Sequence, residues 1–173
     1  MSNKVLAFII LTILSLTSCS QNTNTISAQN RVQTNTNEVK KDTEKSEELK
    51  ENECKICKFD FANYKGDLKK EEIEGLLLAL NDEYLALAIY EQVNKDFNNP
   101  RPFINIQQAE ARHSDRLKQL FENYKIPIPE NPWLGNAPKY KSVEEACKAG
   151  VDAEIVNKQL YDKLFKSTAR EDI

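Results

Sequence analysis

The chain has 173 residues, 29% charged and 40% hydrophobic, with four glycines, one histidine and a formal net charge of −3. That length supports one modest domain. The near-balanced charge argues against binding by phosphate neutralisation, so no nucleic-acid partner is expected, and there is no phosphate-binding loop, dinucleotide fingerprint or G-x-S-x-G elbow.

The first element is an apolar stretch, Val5–Leu16, behind a short start carrying Lys4. It is shorter than the roughly 20 residues that span a bilayer and matches the apolar region of a secretory signal. Leu16-Thr17-Ser18-Cys19 resembles the lipobox of bacterial lipoproteins. Residues 1–18 then read as a lipoprotein signal peptide and Cys19 as the lipidated N-terminus. Each buried methylene of the acyl chains contributes roughly 0.8 kcal/mol of anchoring. The implied place is the cell envelope, with the membrane as partner through Cys19 and the domain on the periplasmic or extracellular face. A plain secretory signal with an incidental Cys19 is the alternative.

Residues 19–65 read as a polar, disordered tether. Of the 31 residues Ser20–Lys50, 16 are uncharged Ser, Thr, Asn or Gln and none is aromatic, too little apolar surface to offset the entropy of ordering. Near its end lie Cys54 and Cys57 in a C-x-x-C. Lys58 follows Cys57, which excludes a haem-attachment motif, and no second Cys or His pair completes a zinc knuckle. A local disulfide, an active redox pair and a metal pair remain open; the expected pairing is Cys54 with Cys57, leaving Cys147 a buried free thiol.

From Gly66 onward the pattern is all-α, with no β-branched alternation. Asp67 is a plausible N-cap for a helix over Leu68–Asn94, a second helix is predicted over Ile104–Tyr124, and a third opens at Ser142, where Ser142 and Glu145 fit a capping box, and runs to Ser167. All six prolines lie between Pro100 and Pro138. The first connection is short enough to make helices one and two antiparallel neighbours, while the second, Lys125–Lys141, is long enough to cross the length of a bundle.

Each inward seam is apolar until charge interrupts it. Helix one presents Ile73, Leu76, Leu80, Glu83, Leu87 and Tyr90; helix two presents Ile106, Glu110, His113, Leu117, Leu120 and Tyr124. A carboxylate on a buried stripe is costly unless it is paired or binds a cation. Glu110 and His113, three apart, share a helix face and offer oxygen and nitrogen to one ion, a donor set that suits iron, manganese or zinc. Glu154 with Tyr161 on helix three repeats the spacing of Glu83 with Tyr90. Lys158, four residues after Glu154, offers it an ordinary surface pair instead. Carboxylates gathered this way would repel without a cation, so replacing Glu110 or His113 is expected to leave the metal-free protein at least as stable.

Taken together, EEIEGLLLALNDEYLALAIYEQV, NIQQAEARHSDRLKQLFENY and SVEEACKAGVDAEI resemble the bacterial ferritin-like family called domain of unknown function 2202, a rubrerythrin-like branch of the ferritin-like superfamily. The likeness covers about residues 66–173. It implies an antiparallel four-helix bundle around a carboxylate-bridged dinuclear centre, commonly iron. Glu83, Glu110, His113 and Glu154 would be ligands, with Tyr90 and Tyr161 hydrogen-bonding behind them or acting as redox-active phenols. The pattern departs from the family at its end. His113 is the only histidine, so a second E-x-x-H pair is lacking, and Ile173 falls before a fourth helix could form. The fourth helix is then truncated, missing, or supplied by a second copy or a partner chain. The functions that follow are an envelope metal protein acting on O₂ or peroxide, a non-catalytic helical scaffold or binding module, and a thiol–disulfide protein using Cys54 and Cys57.

Overall fold

The computed structural model describes residues 54–173. The readings placed on the signal peptide, on Cys19 and on residues 20–50 lie outside the described residues. Three helices are present among those described, α1 (Lys70–Asp96), α2 (Phe103–Asn123) and α3 (Val143–Ser167), and no strand. The fold is all-α.

α1 starts two residues later than its sequence suggests. Lys69 is the N-cap, its backbone N–H satisfied by Glu72 Oε2 at 2.8 Å, while Asp67 accepts from Arg170 Nη2 near the chain's end. Glu71 and Glu72 sit in the first turn, where the helix dipole favours negative charge. α3 opens as expected at Ser142, whose Oγ accepts from Glu145 N at 3.1 Å. The reciprocal half of the box shifts by one residue, since Glu145 Oε2 accepts from Lys141 N at 2.7 Å. Between α1 and α2 the chain reverses through Asn98 and Asn99, at φ 56° and 58°, a left-handed conformation that asparagine tolerates better than most residues.

α1 is the common partner of the other two helices. Asn94 donates to Gln107 near the tight turn while Glu83 faces His113 further away, so α1 and α2 run antiparallel. Glu83 also meets Tyr161, and Glu72 meets Thr168, so α3 is antiparallel to α1 as well. α2 and α3 are therefore parallel, and the chain between them must return along the whole bundle. It does so against α1. Tyr84 donates to Pro129 O at 3.0 Å, Asn131 donates to Tyr84 O, and Trp133 Nε1 donates to Asn81 Oδ1 at 3.2 Å.

The core forms two clusters along α1. The larger gathers Leu76, Leu77, Leu80, Leu117, Phe121 and Tyr161; the smaller holds Tyr90, Val93, Phe103, Ile106 and Cys147. Fully burying side chains of this size stabilises by about 1.5–3 kcal/mol each. Gly75 lies where α3 packs on α1: a Cβ there would lie 2.8 Å from Leu164 Cδ2, so a larger residue requires the Leu164 side chain to move.

One expectation is corrected. The domain does not begin at residue 66, because Ile56 is buried and Phe59, Phe61 and Tyr64 pack on the larger cluster. Tyr64 also donates to Tyr124 O. The aromatic spacing there is irregular, which hides it from a helical or strand pattern, yet three rings supply enough apolar surface to dock. The residues after α3 form no helix. Arg170 pairs with Asp67 and Glu72, Thr168 donates to Glu72, and Ile173 packs on the core, so these last residues fold back over the bundle's end.

Candidate metal centre

Glu83, on α1, is 1% exposed; Glu110 and His113, on α2, are 3% and 7% exposed. Their burial follows from the seams, since each sits where a core residue would otherwise face the neighbouring helix. His113 Nδ1 lies 3.1 Å from Glu110 Oε2 and 3.4 Å from Glu83 Oε2. On the far side of Glu83, Tyr161 OH donates to Oε1 at 2.6 Å. Two carboxylate oxygens at the centre, Glu83 Oε2 and Glu110 Oε1, are buried with no hydrogen-bond partner. Glu83 Oε2 is thus near enough to His113 for ionic attraction without a well-aligned hydrogen bond.

These three side chains can hold a metal ion, for each offers a ligand atom within 4.8 Å of the others. The fit is closer than that limit requires. With metal–ligand bonds of about 2.1 Å, neighbouring donors around a tetrahedral or octahedral ion lie about 3.0–3.4 Å apart, and the two separations at Nδ1 fall within that span. Orphaned buried oxygens are the usual mark of an unfilled demand in a polar site. One nitrogen and two carboxylates suit iron, manganese or zinc.

Without a metal, the two neighbouring carboxylates favour the cationic form of His113. Burial works against its imidazolium, but the Glu110 hydrogen bond and the Glu83 carboxylate outweigh it and raise His113 to about 9. Burial first, then the Glu83 charge, raise Glu110 to about 9 against the opposing pull of His113. Both shifts have the same sign for stability. The folded chain keeps these protons to about pH 9, whereas the ordinary values of 4.5 and 6.5 release them earlier in the unfolded chain. The stabilisation is full below those ordinary values and lost as pH rises through 9. Melting of the metal-free protein in chelator should therefore fall in temperature from pH 5 to pH 9. A bound metal must displace the same protons, so apparent metal affinity should rise over that interval.

Of the four ligands expected from the sequence, three converge and Glu154 does not join them. Glu154 is nonetheless buried. The surface pairing with Lys158 is not what the fold makes, because Lys158 Nζ bonds Asp162 at 2.8 Å. The two Glu–Tyr repeats interlock across the antiparallel helices: Tyr161 of α3 meets Glu83 of α1, and Tyr90 of α1 lies in the field of Glu154. Burial, then the Glu154 charge, hold the Tyr90 phenol well above its ordinary range. Burial and Glu83 do the same for Tyr161, which keeps it a neutral donor. Tyr161→Phe should destabilise by about 1–3 kcal/mol, since it leaves another buried carboxylate oxygen unpaired; chemical denaturation reads this directly.

Cys54 and Cys57 are joined in a disulfide with Cα atoms 5.5 Å apart, within the normal range for such a bond. Cys147 is buried in the smaller cluster with Tyr90, Val93 and Phe103, and the expectation of a free thiol there turns on residues outside those described. What sequence reasoning missed is a second face on α1. Leu77, Asn81, Tyr84 and Ala88 are buried at four-three-four spacing and receive the returning connection. The signal was available, but Asn81 reads as a solvent position until Trp133 and Lys55 are seen to donate to its Oδ1.

An all-α bundle with a buried Glu, Glu and His cluster is the class these features define. The chain is 33% identical over 124 residues to an uncharacterized protein of Methanocaldococcus jannaschii, a match covering 63% of this chain and 66% of that protein. The alignment thus spans just under two thirds of that relative's length. No family model matches the chain, and no solved structure matches it.

Proposed function

We propose that this is a lipid-anchored protein of the cell envelope whose helical bundle binds one transition-metal ion, iron foremost, between Glu83, Glu110 and His113. The carrying observation is the convergence of three buried ligand atoms from two helices beside two unpartnered carboxylate oxygens. A ferritin-like ancestry is supported by the long return between two parallel helices, the connection that sets ferritin-like bundles apart from simple up-down ones. Three converging ligands with Glu154 apart favour a single ion over the dinuclear centre of that family. Bound iron would supply one-electron chemistry with O₂ or peroxide. The chain's own part is to hold the two carboxylates and the imidazole, to fix Glu83 through Tyr161, and to shield the centre from bulk water. The test of the oxidative role is consumption of peroxide or O₂ by the Fe²⁺-loaded protein. It should exceed that of the same Fe²⁺ in buffer and be lost in Glu110→Gln; equal rates in all three reject it.

The anchor rests on Leu16–Cys19. No helix among the described residues is long and apolar enough to cross a membrane. Cys19→Ala should move the protein out of the membrane fraction and abolish labelling by a fatty-acid analogue. Absence of label from the native protein would reject the anchor.

A second reading is that the bundle is a non-catalytic scaffold and the cluster an internal ion network. It is favoured by His113 already facing both carboxylates and by Tyr161 satisfying Glu83 Oε1. Glu110→Gln separates the two readings, as argued below.

A further inference from the structure

We propose that the Cys54–Cys57 disulfide is a redox-operated clasp that holds the start of the described domain on the returning connection at Trp133 and is opened by a vicinal dithiol. The disulfide closes a turn of four residues. Such a short bridge ties no two distant elements together; what it orders is the turn itself. The turn has a specific dock. The Lys55 backbone N–H donates to Asn81 Oδ1 at 3.2 Å, and Trp133 Nε1 donates to the same oxygen at 3.2 Å. The Lys55 ammonium lies over the Trp133 ring, 3.5 Å from its centroid, a favourable cation–π placement. Between the cysteines, Ile56 is buried in the larger core cluster. Both cysteines are half-buried and pack against that cluster, and Lys55 and Lys58 are exposed beside them, where positive charge favours the thiolates formed on reduction.

The chemistry balances as ordinary exchange. One thiolate of the dithiol attacks a sulfur of the pair, the Cys54–Cys57 bond breaks, and a mixed disulfide forms. The second thiol of the reagent then displaces it. The dithiol leaves as its own disulfide, and Cys54 and Cys57 gain two electrons and two protons as thiols. Without the covalent ring, one backbone hydrogen bond, one cation–π contact and Ile56 must order the turn unaided against its regained chain entropy. Downstream, Phe59, Phe61 and Tyr64 keep their own packing, so release is confined to the turn. None of the dock's residues belongs to the metal centre, and the clasp stands or falls apart from that reading.

Trp133 is the single tryptophan of the chain and reports the clasp without labelling. Dithiothreitol is added in steps to the native protein, with emission and acrylamide quenching recorded and free thiols mapped by alkylation and mass spectrometry at each step. The emission should shift to longer wavelength and quenching should rise in step with alkylation of Cys54 and Cys57, then revert on reoxidation. Cys54→Ser with Cys57→Ser should show the opened signal without reductant. An unchanged Trp133 signal once Cys54 and Cys57 are reduced, or a change that follows Cys147 instead, overturns the proposal. If the double variant does not fold, the reversible response of the native protein decides the matter alone.

Discussion

Saturating Fe²⁺, Mn²⁺ or Zn²⁺ raises the melting temperature of the native protein, and Glu110→Gln removes that rise while leaving the metal-free protein almost unchanged. The first half is linkage. A ligand that binds only the folded state at a hundredfold excess over its Kd stabilises by about 2.7 kcal/mol, which for a domain of this size moves the melting temperature by about 10 °C. The second half follows from protonation. Burial chiefly, then the Glu83 charge, push the Glu110 carboxyl above its usual range, which favours its neutral acid form. Glutamine copies that state, its amide oxygen accepting from His113 Nδ1 as Glu110 Oε2 does at 3.1 Å, and the cost should stay within about 1 kcal/mol. What glutamine cannot do is lose the proton and become an anionic ligand. A Glu110→Gln protein that keeps the metal-dependent rise would place the metal elsewhere; a native protein with no rise leaves the internal ion network as the better reading.

His113→Ala should be the costliest single change at the site, in metal-free protein as well. The sequence alone suggests the reverse, because three glutamates and no visible cation read as like-charge strain. The fold sets His113 against both carboxylates, with Nδ1 within 3.4 Å of Glu83 and Glu110, and their pull favours its imidazolium form. Removing one partner of a buried ion pair leaves the other charge unpaired, at about 3–5 kcal/mol, and alanine adds a cavity where the ring stood. Denaturation at pH 7 in chelator should therefore show the variant melting about 10–20 °C below the native protein. At pH 10 the gap should narrow, since the imidazolium is then titrated away in the native protein as well. A metal-free His113→Ala as stable as the native chain would mean that carboxylate repulsion outweighs the pairing, and that account of the centre would be wrong.

Much of this was legible before any coordinates. Three helices follow from three-and-four spacing, and the centre shows itself as Glu83, Glu110 and His113 breaking otherwise apolar stripes. Spacing gives a residue's face but not its distance from a neighbour on another helix. That is why Glu154, equally well patterned and also buried, could not be told apart from the three that converge. The second buried face of α1 was hidden for a different reason. Its polar members, Asn81 and Tyr84, are satisfied by Trp133, Lys55, Pro129 and Asn131, all in irregular segments without a period to read. At Lys158 two acceptors, Glu154 and Asp162, stand at equal spacing on opposite sides, and its ammonium bonds the second.

The proposed centre is one metal ion held by Glu83, Glu110 and His113. Its most direct test is the metal content of native, Glu110→Gln and His113→Ala proteins after anaerobic equilibrium dialysis against Fe²⁺, Mn²⁺ or Zn²⁺ at pH 8. The claim predicts one ion per native chain and essentially none in either folded variant; equal metal content in all three, or none in the native protein, contradicts it.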